Sequence, residues 1–224
     1  MDIVLLGAGG QAKDMLKNIE EYNLDAPKSK RFNVIGCLDD TNHIKKGAKL
    51  PGYRILTSMK VFEKPSFRKA RVICAVGDPL GKKIFERKAR WYNLVFFNLI
   101  HPTVSVPKTC KLGTGVSIFS NSIVSAFCEI GDHVSVNYLC SISHDCTIGD
   151  LVTLAPGVKI AGRCILEEGC FLGINSCVIN NIKIGEWSVV GAGTPVVKDV
   201  LPNSVVVGGS CRVLSSRDKN KPLL

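Results

Sequence analysis

The 224-residue chain (24.3 kDa) is 46% hydrophobic and 21% charged, which excludes a disordered chain and suits one large or two modest folded domains. No apolar run approaches the ~20 residues of a membrane span, and the start, Met1-Asp2-Ile3-Val4-Leu5-Leu6-Gly7, has no basic leader. The reading is a cytoplasmic protein without membrane insertion. The net charge of +10 is uneven: residues 1–99 hold 19 Lys+Arg against 10 Asp+Glu, and residues 100–224 hold 10 against 9. A basic first module and a near-neutral second one are expected, the first suited to an anionic partner.

Residues 2–6 read as a strand, followed by the turn Gly7-Ala8-Gly9-Gly10-Gln11-Ala12. Ala12, Met15, Leu16, Ile19 and Tyr22 then fall at helical spacing. Strand, glycine turn and helix start place free N–H groups at one point, which is an anion site. A second strand, 33–38, ends in Asp39-Asp40, and a third, 71–76, ends in Gly77-Asp78-Pro79. Asp78 suits an N-cap and Pro79 the first position of a helix reaching about Arg90. A fourth strand is expected over 94–99. The alternation argues for a small parallel α/β domain over 1–99, with ligands at its carboxyl strand ends. Fewer than 100 residues are too few for a full dinucleotide domain, so a nucleotide-diphosphate site is favoured over NAD.

From Ile100 every sixth residue through Val196 is Ile, Leu or Val, seventeen positions without a break. Four residues after each stands a second column of mostly small or β-branched residues, holding six of the ten cysteines (Cys110, Cys128, Cys140, Cys146, Cys164 and Cys170). A buried thiol is a small hydrophobe, so the cysteines need neither disulfides nor metal. A period of six means short strands with a turn after each, three to a triangular coil, and five to six coils stacked in parallel. Gly131, Gly149, Gly185 and Gly191 are expected at tight corners where a missing Cβ permits the turn. This domain spans 100–213, and 214–224 read as a charged tail.

Of the four histidines, His43 reads as a surface residue, His101 as structural and His133 as an exposed corner residue. His144 occupies a corner and should project outward beside Asp145, a carboxylate able to orient its ring. With only His133 and His144 in the central coils, no metal site is expected. Nucleic-acid binding is disfavoured because no aromatic stacking pattern accompanies the basic residues.

The hexad pattern resembles the left-handed parallel β-helix of bacterial acyltransferases. Further motifs occur in order: Gly7-Ala8-Gly9-Gly10, Leu38-Asp39-Asp40, Ala75-Val76-Gly77-Asp78, Ile100-His101-Pro102, His144-Asp145-Cys146, Cys170-Phe171-Leu172-Gly173-Ile174-Asn175-Ser176-Cys177 and Gly191-Ala192-Gly193. Together, over about 2–213, they resemble the bacterial nucleotide-linked amino-sugar N-acetyltransferases, with sialic-acid O-acetyltransferases as relatives. The resemblance implies transfer of acetyl from acetyl-CoA to the 4-amino group of a UDP-, dTDP- or GDP-linked dideoxy sugar, for surface-glycan synthesis. It implies His144 as general base, Asp145 as its support, the Gly162 N–H at the oxyanion, and Asn137 at the acceptor sugar. CoA would touch Thr153, Gly162, Ile174 and Ala192 in a groove between neighbouring β-helices of a homotrimer. Gly9, Gly10, Gln11, Asp39, Asp40, Gly77, Asp78 and Lys82 would hold the nucleotide diphosphate. Gln11 and Thr153 stand where relatives often carry histidines, and Lys82 where an arginine is common. Sugar O-acetylation and a non-catalytic nucleotide-binding assembly module are the alternatives.

Overall fold

A computed structural model describes residues 1–40, 50, 52–209, 212–216, 218, 220 and 221. His43, Ser210 and Cys211 lie outside them. The chain divides into two compact units, one comprising Met1–Gly77 with Gly81–Asn98 and the other Asp78–Leu80 with Leu99–Leu224.

The first unit holds five parallel strands: β1 (Asp2–Leu6), β2 (Asn33–Leu38), β3 (Ile55–Leu56), β4 (Arg71–Cys74) and β5 (Val95–Phe96). Their order is β3-β2-β1-β4-β5. The direction of winding therefore reverses between β1 and β4, and an open α/β sheet offers its ligand crevice at the carboxyl ends on either side of such a reversal. Two helices cross over, α1 (Gly10–Asp25) and α2 (Pro79–Trp91). Ala12, Met15, Leu16 and Ile19 of α1 are buried, as their spacing requires. Phe85 and Ala89 of α2 pack with Phe62, Phe67 and Val72. The stretch 94–99, expected as one strand, is two. Its first half pairs with β4, whereas Leu99 and Ile100 pair with Ser117 and Ile118 in the second unit.

The second unit is a parallel β-helix of two-residue strands on three faces. The first face carries the pairs beginning at Lys111, Glu129, Thr147, Ile165 and Lys183, and the third face those at Ile123, Ser141, Lys159, Cys177 and Pro195. The second face runs from Leu99–Ile100 through Ser117–Ile118, Ser135–Val136, Thr153–Leu154, Phe171–Leu172 and Val189–Val190 to Ser204–Val207. There the antiparallel strand Arg212–Ser216 closes the sheet, so pairing extends into the stretch expected as tail. The second residue of each pair points inward, and Ile142, Leu154, Leu166, Leu172, Ile184 and Val190 form one continuous buried column system with the cysteines. The thiols repeat a further bond: Cys128, Cys146 and Cys164 donate to the carbonyls of Ser143, Ala161 and Ile179 at 3.1, 3.2 and 3.0 Å.

The corners correct one expectation. The left-handed residue stands three places after the aliphatic one and is mostly not glycine: Asn121, Phe127, His133, Leu139, Asp145, Leu151 and Arg163 all have φ between 58° and 63°. Such a conformation costs an L-residue roughly 1–2 kcal/mol. It is offset by a hydrogen bond at each turn, as from His133 N–H to Thr114 O (2.8 Å) and Leu151 N–H to Asp132 O (2.8 Å). Gly131, Gly149, Gly185 and Gly191 have no positive φ. They are needed because stacked coils touch: a Cβ on Gly131 would lie 2.8 Å from the backbone nitrogen of Asp150. Gly131→Ala should therefore lower stability by roughly 1–3 kcal/mol, as overpacking does. Gly193→Asn should be nearly neutral, because φ is +64° with open space around it, and asparagine holds the same turn position at Asn121 and Asn175. Thermal unfolding of the two variants checks both outcomes.

Candidate active site

His144 and Asp145 sit at the corner leading from the third face to the first. The corner is clamped from both sides: Asp145 N–H donates to Ala126 O (3.1 Å), and Arg163 N–H donates to His144 O (3.0 Å). His144 Nδ1 lies 2.7 Å from Asp145 Oδ2, and both side chains are about half exposed (48% and 49%). With Nδ1 donating to the carboxylate, the tautomer is set and the Nε2 lone pair is left to accept a proton. The left-handed turn at Asp145 (φ 59°) sets its carboxylate beside the neighbouring ring.

Gly162 lies one coil on, at the same corner. A Cβ there would stand 2.6 Å from His144 Cε1 and 2.7 Å from Nε2, so the imidazole rests on the bare α-carbon. Among the described residues no acceptor takes the Gly162 N–H. A general base and a free backbone donor are thus neighbours, as acyl transfer requires. Cys146 beneath them is buried, and a hydrogen bond shared with Cys164, together with burial, pushes its thiol well above the ordinary range. It is protonated at neutral pH and unsuited to carrying an acyl group.

The remaining expected residues are dispersed in a single chain. Asn137, Ile174 and Ala192 line the other edge of the third face, at the corner coming from the second, and Ile174 and Ala192 stack one coil apart. Asn137 is buried and its Nδ2 donates to Leu154 O at 3.2 Å. Thr153 lies on the second face with only 1% of its surface exposed, and the chain does not bring it to His144. His133, expected at the surface, is buried over Gly115, where a Cβ would meet its ring. His101 is buried with Nδ1 2.9 Å from Thr103 Oγ1, a structural placement as expected.

In the α/β unit the glycine turn and the Gly77 loop meet at the carboxyl ends of β1 and β4. Gly7 is held at φ 127°, and a Cβ would lie 2.7 Å from Ala75 O, so only glycine fits. Gly9 and Gly10 are exposed, and added Cβ atoms would meet nothing within 4 Å, which leaves open space at the start of α1. Gln11 reaches toward Gly77, and its Nε2 is buried without a hydrogen-bond partner. Asp39 N–H pairs with Leu56 O (2.8 Å) at the end of β2. Asp78 immediately precedes α2.

One residue here departs from expectation, and one gains a partner. Lys82, expected at the phosphates, is wholly buried (0% exposed) close to Cys74, whose thiol burial pushes up to about 12. It sits on the buried stripe of α2 with Phe85 and Ala89, and so presents no ammonium at the surface. Asp40 is joined to Lys88 at 2.7 Å, a partner that sequence reasoning missed because one lysine among nineteen basic residues carries no distinguishing spacing. Among the described residues no three His, Cys, Asp or Glu side chains gather as metal ligands, and no helix is long and apolar enough to cross a membrane.

Residues 127–162 match the bacterial transferase hexapeptide family (six repeats). The chain has the fold and the repeat of the hexapeptide acyltransferases. Its architecture is accordingly a small parallel α/β unit followed by a left-handed parallel β-helix. The structure is similar to that of PerB from Caulobacter crescentus, solved with CoA and GDP-perosamine: TM-score 0.84, 26% identity, 96% of this chain and 98% of that one. It also shares its fold with WeeI from Acinetobacter baumannii (TM-score 0.78, 23% identity, 96% and 100% covered). In sequence, a 2,3,4,5-tetrahydropyridine-2,6-dicarboxylate N-acetyltransferase of Clostridium perfringens (strain SM101 / Type A) is 39% identical over 56 residues, 25% of this chain. That match spans 24% of the curated relative's length.

Proposed function

We propose that the protein is an acetyl-CoA-dependent N-acetyltransferase acting on the 4-amino group of a nucleotide-linked amino-dideoxy sugar, in surface-glycan synthesis. The observation that carries the reading is the His144–Asp145 contact of 2.7 Å with the imidazole seated on Gly162. Similarity to an enzyme solved with CoA and GDP-perosamine supports the substrate class, with UDP, dTDP and GDP as candidate carriers.

In this mechanism His144 Nε2 takes a proton from the sugar amine as its nitrogen bonds to the thioester carbon. The Gly162 N–H holds the negative oxygen of the tetrahedral intermediate. As that intermediate collapses, the carbon–sulfur bond breaks and His144 returns its proton to the departing thiolate. Asp145 keeps the ring oriented and stabilises the transient imidazolium. No covalent acyl-enzyme is needed. Gly9, Gly10, Gln11, Asp39, Asp40, Gly77 and Asp78 are proposed to receive the nucleotide diphosphate, with the unpartnered Gln11 amide donating to it.

A homotrimer completes this reading. Thr153, Ile174 and Ala192 share no corner with His144 and Gly162, which supports a CoA groove completed by a second copy. Exposed Ile123, Phe127, Leu139, Ile174, Ile179 and Val197 all lie on the third face or its two corners, an apolar surface suited to such a neighbour. Sedimentation at working concentration checks it, and a fully active monomer would contradict it.

Thiol release from acetyl-CoA against a panel of nucleotide-linked 4-amino sugars tests the activity. An amide product resistant to alkali is expected, and an alkali-labile ester would point to O-acetylation. Gln11→Ala should raise KM for the nucleotide sugar by about tenfold with kcat little changed, the loss of one hydrogen bond to a charged group. Unchanged KM would remove Gln11 from the site.

A further inference from the structure

The outer face of α2 is unusual for a helix that packs on a sheet. Its inner stripe, Lys82, Phe85 and Ala89, is buried, but Trp91 is 84% exposed and Ile84 and Val95 are exposed with it. Ile84, Arg87, Lys88 and Trp91 line an open cavity of about 370 Å³. Tyr92 and Val95, which follow Trp91 in the chain, help with Arg68, Lys69 and Arg71 to line a second of about 310 Å³. Neither cavity has a carboxylate among its lining residues. Lys88 is neutralised by Asp40, but Arg68, Lys69, Arg71 and Arg87 make no ion pair among the described residues. Exposed Trp91 thus shares its cavity with the unpaired Arg87, and the second cavity adds Arg68, Lys69 and Arg71.

We propose that this face docks the protein on an anionic lipid surface, Trp91, Ile84 and Val95 entering the headgroup region while the cations meet lipid phosphates. The charge is complementary to a bilayer rich in acidic lipid, and each cation near such a surface contributes attraction that salt screens. Tryptophan is the side chain best suited to that boundary, with an apolar ring and one polar N–H. Arginine and lysine stems cover apolar surface while their charges stay in the phosphate layer. The attachment is peripheral, a helix face lying on the membrane, and it is independent of the acetyl-transfer reading.

The full chain reports on this directly. It has two tryptophans, and Trp187 is only 4% exposed, so a change in emission on docking belongs to Trp91. Vesicles of phosphatidylcholine with phosphatidylglycerol should sediment the protein and shift its emission to the blue at low salt. Vesicles of phosphatidylcholine alone should do neither. Arg68→Gln with Arg87→Gln should weaken vesicle affinity by roughly 25-fold, about fivefold for each cation. Trp91→Ala should abolish the blue shift. Circular dichroism should be unchanged in these variants, since the substituted side chains are exposed. Failure to bind anionic vesicles at low salt would overturn the proposal, as would binding indifferent to these substitutions. So would a blue shift with polyglutamate but not vesicles, which would indicate an acidic protein partner, or a change of oligomeric state in Trp91→Ala, which would place a second copy on this face.

Discussion

Replacing His144 by alanine is expected to lower kcat for acetyl transfer by about 10²–10⁴-fold, the range that a positioned general base contributes. KM for both substrates should move little, because the imidazole acts mainly as the transition state forms. The fold should survive, since the side chain is half exposed and the corner is held by backbone bonds on both sides. His144→Asn should be as slow as the alanine variant, because an amide fills the space without accepting the proton. Cys146→Ser provides the contrast: if the buried thiol carries no acyl group, the serine variant keeps most of its activity. Turnover of His144→Ala within twofold of the parent would remove the base from the mechanism.

Gly162→Ala is expected to be nearly as damaging although it removes no functional group. The added methyl would lie 2.6–2.7 Å from two ring atoms of His144, closer than carbon and nitrogen can approach. Either the ring leaves its carboxylate partner or the coil shifts, and in both cases base and oxyanion donor lose their registry. A loss of about 10²–10³-fold in kcat is expected, comparable to deleting one oxyanion-hole donor. The ring is displaced at an exposed corner, so the melting temperature should change much less than in Gly131→Ala, where the clash is with backbone. Full activity in Gly162→Ala would mean that the imidazole works elsewhere than where it rests.

The inward aliphatic column was legible because it is strictly periodic and nothing but burial asks that of Ile, Leu and Val. The helix over Gly10–Asp25 and the strand over Asn33–Leu38 were legible for the same reason, a local pattern with one dominant cause. The corner glycines were misread, since a missing Cβ serves both a positive φ and a close approach, and one sequence cannot tell these apart. The burial of Lys82 and the pairing of Lys88 were not legible, because a lysine in a basic helix looks alike whether its stem turns inward or out. The burial of His133 is not legible in the sequence, because a corner residue is covered or open according to the coil below it, here Gly115.

From the residue order alone came the hexad repeat, hence the three-sided coil, and the pairing of an imidazole with an adjacent carboxylate at a corner. Placements between coils were settled only by the folded chain: the ring seated on Gly162 eighteen residues on, the thiols bonded to carbonyls fifteen residues on, and Thr153 set on another face. Periodicity records which way a side chain faces, because facing is decided within one turn. What it touches depends on the register between turns, and that exists only once the coils have stacked.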